Sequence, residues 1–304
     1  MKILKYVLLG LLGLSGALLL WGLIEPYIID TEEEVAAIPN LPSAWDGQRV
    51  AVIGDWQVGM WLDNTPTIRR IVQQLIESRP ALVLIVGDFI YGAGKDPQEE
   101  ISQAIELIRP LSASGIPIYA VLGNHDYGMT SKQDSPDQLM ATKLYQALEA
   151  VGVQVLQNQA AALAMPKNAN QKTTGVTAPL YLVGIGSHWA RDDRPAAALA
   201  QVPGTAPRFV MMHHPDSFAA FPTSTAPVAV AGHTHGGQIR LPFLPEWSWL
   251  TFVKDDEVHA DGWINGYGQP GNHLYVNRGI GFSLIPIRIN CPPEVTIFTL
   301  RQSR

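Results

Sequence analysis

Five short apolar runs, each ending in polar residues able to bind a cation, constrain this chain more than any other feature. They are Val50-Ala51-Val52-Ile53-Gly54-Asp55, Leu82 to Gly87-Asp88, Ile118 to Gly123-Asn124-His125-Asp126, Phe209 to His213, and Val228 to Gly232-His233. Runs of this length and composition read as strands. Helical patterns separate them, and that alternation is how a sheet flanked by helices looks along a sequence. In open α/β sheets the ligand crevice lies beyond the carboxyl ends of the strands, so the polar endings are expected to converge on one site.

Three helices carry start signals. Asn64-Thr65-Pro66 opens one, with Ile68, Ile71, Val72, Leu75 and Ile76 on a single face. Asp96-Pro97 opens the second, where Glu99 completes a capping box, and Ser135-Pro136 with Gln138 opens the third, which should stop at Gly152. Leu163 to Ala178 has loop composition and is expected to be a hairpin tip without a chemical role. Neither repeat nor linker divides the region after Gln48, and a chain of 304 residues fits one large α/β domain. With 47% apolar and 16% charged residues there is ample material for a core, which excludes a disordered chain.

Tyr6 to Ile24 is a run of 19 residues without a charge, close to the ~20 a helix needs to cross a bilayer. It is long for a signal peptide, and no small-x-small cleavage pattern follows Trp21. A core helix would need apolar partners on every side. Lys2 and Lys5 precede the run and acids follow it, so the expectation is a single-pass anchor in the cell membrane with a cytoplasmic N-terminus and an extracytoplasmic catalytic domain. The expected division is 1–25 anchor, 26–46 spacer and 47–304 catalytic domain.

The net charge is −6 and the basic residues are scattered, so no nucleic-acid partner is expected. A single cysteine, Cys291, excludes an internal disulfide and a cysteine-based metal cluster.

Taken alone, an Asp after Gly at a strand end is most often a turn residue or helix cap. In combination the fragments say more: Asp55-Trp56-Gln57, Gly87-Asp88, Gly123-Asn124-His125-Asp126, His213 before His214-Pro215, and Gly232-His233-Thr234-His235 occur in that order. This series resembles the calcineurin-like metallophosphoesterase superfamily across 47–300. The segments Gly232 to Gln238, Asn277-Arg278-Gly279-Ile280-Gly281, Pro286-Ile287-Arg288 and Pro292-Pro293-Glu294 resemble its membrane-linked bacterial branch, typified by the YkuE and YaeI phosphoesterases.

The resemblance implies an α/β sandwich of two mixed β-sheets flanked by α-helices, here preceded by one transmembrane helix. It also implies a dinuclear site: a first metal on Asp55, Gln57, Asp88 and His235, and a second on Asp88, Asn124, His213 and His233. Such oxygen and imidazole donors suit Mn²⁺, Fe or Zn²⁺. His125 is expected to stabilise charge or to protonate the leaving oxygen, with Asp126 fixing its tautomer, and Asn124, His125 and His214 to touch substrate. The implied reaction is in-line attack of a metal-bound hydroxide on a phosphodiester or diphosphate, in a small-molecule or lipid-linked substrate.

Gln57 departs from the His that is commonest at its place in the superfamily. It motivates a rival expectation, a catalytically weakened, membrane-tethered metal-binding or scaffold protein of the same fold. His188, His259 and His273 lie outside the motifs and are expected at the surface or in packing, and Arg278 in an ordinary ion pair. Trp247, Trp249, Phe252 and Trp263 are expected either in the core or around an apolar mouth above the metals.

Overall fold

The computed structural model describes residues 2–303 apart from 63, 93–95, 167–178, 243 and 254–258, and only the backbone of 245, 246, 252 and 253. Its helices are α1 (Lys2–Ile24), α2 (Thr65–Ser78), α3 (Pro97–Ala113), α4 (Gln138–Ala150), α5 (Pro195–Leu199) and α6 (Leu250–Val253). The strands are β1 (Asp30–Pro39), β2 (Arg49–Ile53), β3 (Leu82–Ile85), β4 (Ile118–Ala120), β5 (Val153–Val155), β6 (Gln159–Ala162) and β7 (Tyr181–Gly184). They continue with β8 (Arg208–Met211), β9 (Ala229–Ala231), β10 (Arg240–Leu241), β11 (Leu244–Ser248), β12 (Gly262–Ile264), β13 (Leu274–Val276) and β14 (Glu294–Ser303).

Two six-stranded mixed sheets form, in the orders β1-β14-β2-β3-β4-β5 and β12-β13-β9-β8-β7-β6. Strand alternation explains how they pack. Val50, Val52, Leu82 and Leu84 turn inward and meet Leu182, Phe209, Met211 and Val230 of the second sheet. Ala51, Ile53, Val83 and Ile85 turn outward against Ile68, Ile71 and Leu75 of α2 and Ile101, Ile108 and Leu111 of α3. Strands apolar on both faces are what a sheet covered on both sides requires. The five apolar runs seen in the sequence are β2, β3, β4, β8 and β9, lying side by side within their sheets.

Three local outcomes differ from the sequence reading. Helix α4 starts at Gln138, because the Asp137 carboxylate accepts from the Met140 N–H at 2.9 Å and leaves Ser135 and Pro136 outside. Asn64 precedes α2 but does not cap it with its side chain; its amide donates to Pro26 O and Ile280 O instead. Within 26–46, read as a spacer, β1 pairs in parallel with β14 along its whole length. As an edge strand it buries only Ala36 and Ile38 and keeps its acids at least partly exposed, so it lacks the apolar signature of an interior strand. The expected tip between β6 and β7 falls largely on 167–178, outside the described residues.

Candidate metal centre

The endings of β2, β3 and β9 deliver their donors through a sharp backbone turn. Asp55, Gln57, Asp88, His233 and His235 all adopt positive φ, between 50° and 73°. That conformation costs a residue with a Cβ about 1 kcal/mol or more and clusters at functional sites. The neighbouring glycines are required by crowding. A Cβ on Gly123 would lie 2.0 Å from Asp88 Oδ1, and one on Gly232 would lie 2.5 Å from Asp55 Oδ2. The Gly-Asn-His and Gly-His motifs are therefore close approaches of backbone to carboxylate, whereas a Cβ on Gly87 of the Gly-Asp motif would meet Gly123 N and His213 Nδ1.

All seven residues expected to bind metal end up buried or nearly so, at adjoining strand ends. Asp55, Asp88 and His235 each offer a donor atom within 4.8 Å of the other two. Gln57 Nε2 donates to Asp88 Oδ2 at 2.9 Å. His213 Nε2 stands 3.2 Å from both Asp88 Oδ2 and Asn124 Oδ1. Asn124 is oriented by donation from Nδ2 to Met129 O, which leaves its carbonyl oxygen facing His213. His233 lies with its ring 5.1 Å from that of His213, and its N–H donates to the Asp55 carboxylate.

These donors fit a cation, on three grounds. His213 Nδ1 bonds Val86 O at 2.7 Å, so the neutral ring would aim a lone pair at two oxygens. Gln57 Oε1 and His235 Nδ1 are buried without a hydrogen-bond partner, an arrangement worth ~1–3 kcal/mol of destabilisation apiece unless something else is bound there. Protonation is also set against the ordinary order. Burial pushes Asp55 up to about 7. Burial acts on Asp88 in the same direction, but His213 and His125 outweigh it and hold that carboxyl well below the usual range. His213 rises to about 9 against its burial because Asp88 faces it, whereas burial and the Arg288 guanidinium lower His235 to about 3.

His125 and Asp126 have separate tasks. His125 Nδ1 bonds Tyr91 O at 2.6 Å, and the ring stacks on Tyr91, so that carbonyl fixes the tautomer. Asp126 does not orient the His125 ring, contrary to expectation. The 3₁₀ turn 125–127 sends its carboxylate the other way, where it accepts from the N–H groups of Asp88, Phe89, Ile90 and Gly123. It staples the end of β3 to the end of β4. In Asp126→Asn one acceptor oxygen is lost and an NH₂ confronts backbone donors, so stability in urea should fall by about 3 kcal/mol. Turnover should drop ~10–100-fold through misplacement of Asp88. The pH profile should keep the wild-type shape; a displaced limb would mean that Asp126 acts through His125 after all.

Other side chains from the sequence reading, and some beyond it, surround these donors. His214 is 1% exposed, neither ring nitrogen has a partner, and it joins His213 and His233 in a second group whose donor atoms lie within 4.8 Å of one another. It is a further potential donor beside His213 and His233. His188, expected away from the motifs, bonds Asp193 and lies 6.0 Å from the His214 ring. Trp189 packs edge-on against His233 at 4.8 Å. Trp263 packs on Tyr275 and Phe298 instead of lining a mouth, Trp249 is half-buried, Trp247 is exposed, and the Phe252 side chain lies outside the described residues. Arg278 makes the expected ion pairs, with Asp30, Glu32, Asp261 and Glu294.

Arg288 is the largest omission. Fully buried, its guanidinium donates to the carbonyls of Arg278, Gly279, Gly281, Cys291 and His235. Gly279 and Gly281 pack directly on Asp55, so one side chain holds two loops of the centre in register.

Comparison with known proteins agrees with this centre. The profile of the family described as "Calcineurin-like phosphoesterase" matches residues 48–237. "Phosphodiesterase YaeI" of Escherichia coli is 31% identical over 74% of this chain and 72% of its own length. "Uncharacterized metallophosphoesterase YkuE" of Bacillus subtilis is 27% identical over 92% and 88%. "UDP-2,3-diacylglucosamine pyrophosphatase LpxG" of Chlamydia trachomatis is 24% identical over 85% and 86%. With its sandwich of mixed sheets and its metal-competent donors at the strand ends, the chain belongs to the calcineurin-like phosphoesterase family and is a metal-binding hydrolase.

Proposed function

We propose that this protein is a membrane-anchored, dinuclear metal-dependent phosphoesterase that hydrolyses a phosphodiester or diphosphate bond. The observation that carries the proposal is the position of Asp88, grouped with Asp55 and His235 on one side and 3.2 Å from His213 Nε2 on the other. Asp55, Gln57, Asp88 and His235 hold one ion and Asp88, Asn124, His213 and His233 the other. When bound, a pair of divalent ions, Mn²⁺, Fe or Zn²⁺, activates water and offsets phosphoryl charge.

The protein supplies the rest. Gln57 and His213 both contact Asp88 Oδ2 and fix the carboxylate. His125 keeps Nδ1 on Tyr91 O, so a proton given from Nε2 to the leaving oxygen returns the ring to the tautomer this bond holds. Attack is by water, in line with the leaving oxygen. Cys291 is no nucleophile: its thiol points at the carbonyls of His235 and Gly236, and burial raises its pKa. The unpartnered Gln57 Oε1 supports a ligand role over the weakened-scaffold reading.

The substrate classes follow the activities for which YaeI and LpxG are named, and a lipid-linked diphosphate fits an anchored enzyme. α1 is apolar and almost wholly exposed, and Lys2 and Lys5 orient it with the N-terminus cytoplasmic and the catalytic domain outside. Full-length protein in detergent with Mn²⁺ should bind two equivalents of metal. It should cleave diester and diphosphate substrates faster than monoesters; two bound ions with no hydrolysis of any of them would favour the scaffold.

Metal removal should leave a signature in stability against pH. The folded Asp55 binds its proton more tightly than the unfolded chain, so its contribution is present below 3.8 and lost as pH rises through about 7. His213 likewise contributes below 6.5 and loses that contribution as pH rises through about 9. Chelated protein should therefore melt at progressively lower temperature from pH 6.5 to 9. Added divalent ion, which needs both groups deprotonated, should flatten or reverse that slope; an unchanged slope on metal addition would count against these residues as ligands.

A further inference from the structure

Three loops leave the metal centre and end in exposed apolar side chains around the exit of α1. Trp61 and Leu62 follow Gln57 by four and five residues, Leu284 and Ile285 follow Gly281 by three and four, and Leu241 and Leu244 follow His235 by six and nine. Trp61 is 74% exposed, Leu284 59% and Leu244 47%. Side chains of this kind are normal singly, but grouped they mark a surface that meets something apolar.

Hydrogen bonds draw all three loops to the same short stretch of chain. Asn64, just after Trp61 and Leu62, donates to Pro26 O at 3.0 Å and Ile280 O at 2.8 Å. The Arg288 N–H donates to Gly22 O at 3.0 Å, and a Cβ on Gly22 would meet Ile287 and Ile289 at 3.2 Å. Glu25, buried, accepts from the N–H groups of Asn290 and Cys291, and Asn290 Nδ2 donates to Leu241 O at 3.1 Å. Gln238 Nε2 donates to Ile285 O at 2.7 Å and ties the second loop to the third. The last turn of the apolar helix is therefore seated in the domain, and the exposed apolar tips stand around it.

We infer that these three loops form a collar that rests in the interfacial layer of the bilayer, so that the metal centre opens toward the lipid surface and takes its phosphoester from a lipid headgroup. The inference rests on the membrane anchoring proposed above for α1 and deepens that reading by assigning the substrate's source. Its occupant is the bilayer because the collar is continuous with a helix long enough to span one. Trp61 has the residue type that concentrates at the interface, and the leucines and isoleucine beside it favour the acyl boundary. A water-soluble substrate would reach the centre without the collar; a lipid-linked one gains from having the site held at headgroup depth.

The test uses the full-length chain in vesicles of phosphatidylcholine and phosphatidylglycerol. Trp61→Cys, Leu284→Cys and, at the opposite end of the domain, Glu77→Cys carry an environment-sensitive fluorophore; Cys291 is buried and stays unlabelled. Lipids brominated near the headgroup should quench the labels at 61 and 284 at least about twofold more than the label at 77. Equal quenching at all three positions would overturn the collar. In Trp61→Asp with Leu284→Asp, hydrolysis of a diacyl-lipid phosphodiester in the vesicle should fall about tenfold while that of bis(p-nitrophenyl) phosphate is unchanged. Parallel loss of both activities would reduce the loops to a structural role and refute the inference. Labels at 61 and 284 quenched as expected, with wild-type protein cleaving neither ester, would instead sink the phosphoesterase reading and leave the membrane contact standing.

Discussion

Asp88→Ala should abolish hydrolysis, with a fall in turnover on the order of a thousandfold, and should reduce bound metal from two equivalents to one or none. Asp88 links the two sides of the centre. Its carboxylate meets Gln57 Nε2, His213 Nε2 and the His125 N–H, and its donor atoms lie in reach of Asp55 and His235. Metal stabilisation of a phosphoryl transition state is worth several kcal/mol, and ~4 kcal/mol corresponds to ~10³ in rate. Asp88→Asn is the sharper variant, since it keeps the volume and one acceptor while removing the charge the ions share. It should fold as the wild type does and still lose most of its activity. Either variant retaining activity within about tenfold of wild type, with two metals bound, would mean that Asp88 does not bridge.

Arg288→Met should cost about 4 kcal/mol of stability and lower the melting temperature by about 10 °C, the shift expected for a domain of this size. The substitution leaves several buried carbonyls without a donor, each worth ~1–3 kcal/mol, partly offset by the apolar side chain put in their place. Arg288→Lys should restore less than half of the loss, because an ammonium cannot spread its donors over Gly281, Arg278 and Cys291 as the planar fork does. Since the same carbonyls belong to loops that touch Asp55 and His235, metal affinity should weaken along with stability. A melting temperature within about 2 °C of wild type would show that water replaces the guanidinium at little cost.

The sequence exposed the centre because its physical demands are local. A donor must follow a strand, and the glycine beside it is needed where Gly123 and Gly232 meet carboxylates. Both requirements fit within a few consecutive residues. The helix faces of α2 and α3 were readable for the same reason, since periodicity is a property of one segment. What stayed hidden depends on partners far along the chain. Arg288 satisfies carbonyls on three separate loops, and nothing in Pro286-Ile287-Arg288 announces that its guanidinium will be buried. β1 is acidic and meets its partner about 260 residues later, so its own composition gives no strand signal. Asp126 misled by adjacency: next to His125 in sequence, it faces the opposite way because a 3₁₀ turn separates the two side chains.

The order β1-β14-β2 also sets a timetable. β1 is made well before its neighbour β14, and β14 in turn completes the pairing of β2. At ~5–20 residues per second, translation separates the two strands by roughly a quarter of a minute to a minute. Until residues 294–303 leave the ribosome, the emerging domain carries a gap between β1 and β2. Closure of that sheet thus waits for β14, and removal of residues 294–303 would unseat two strands at once.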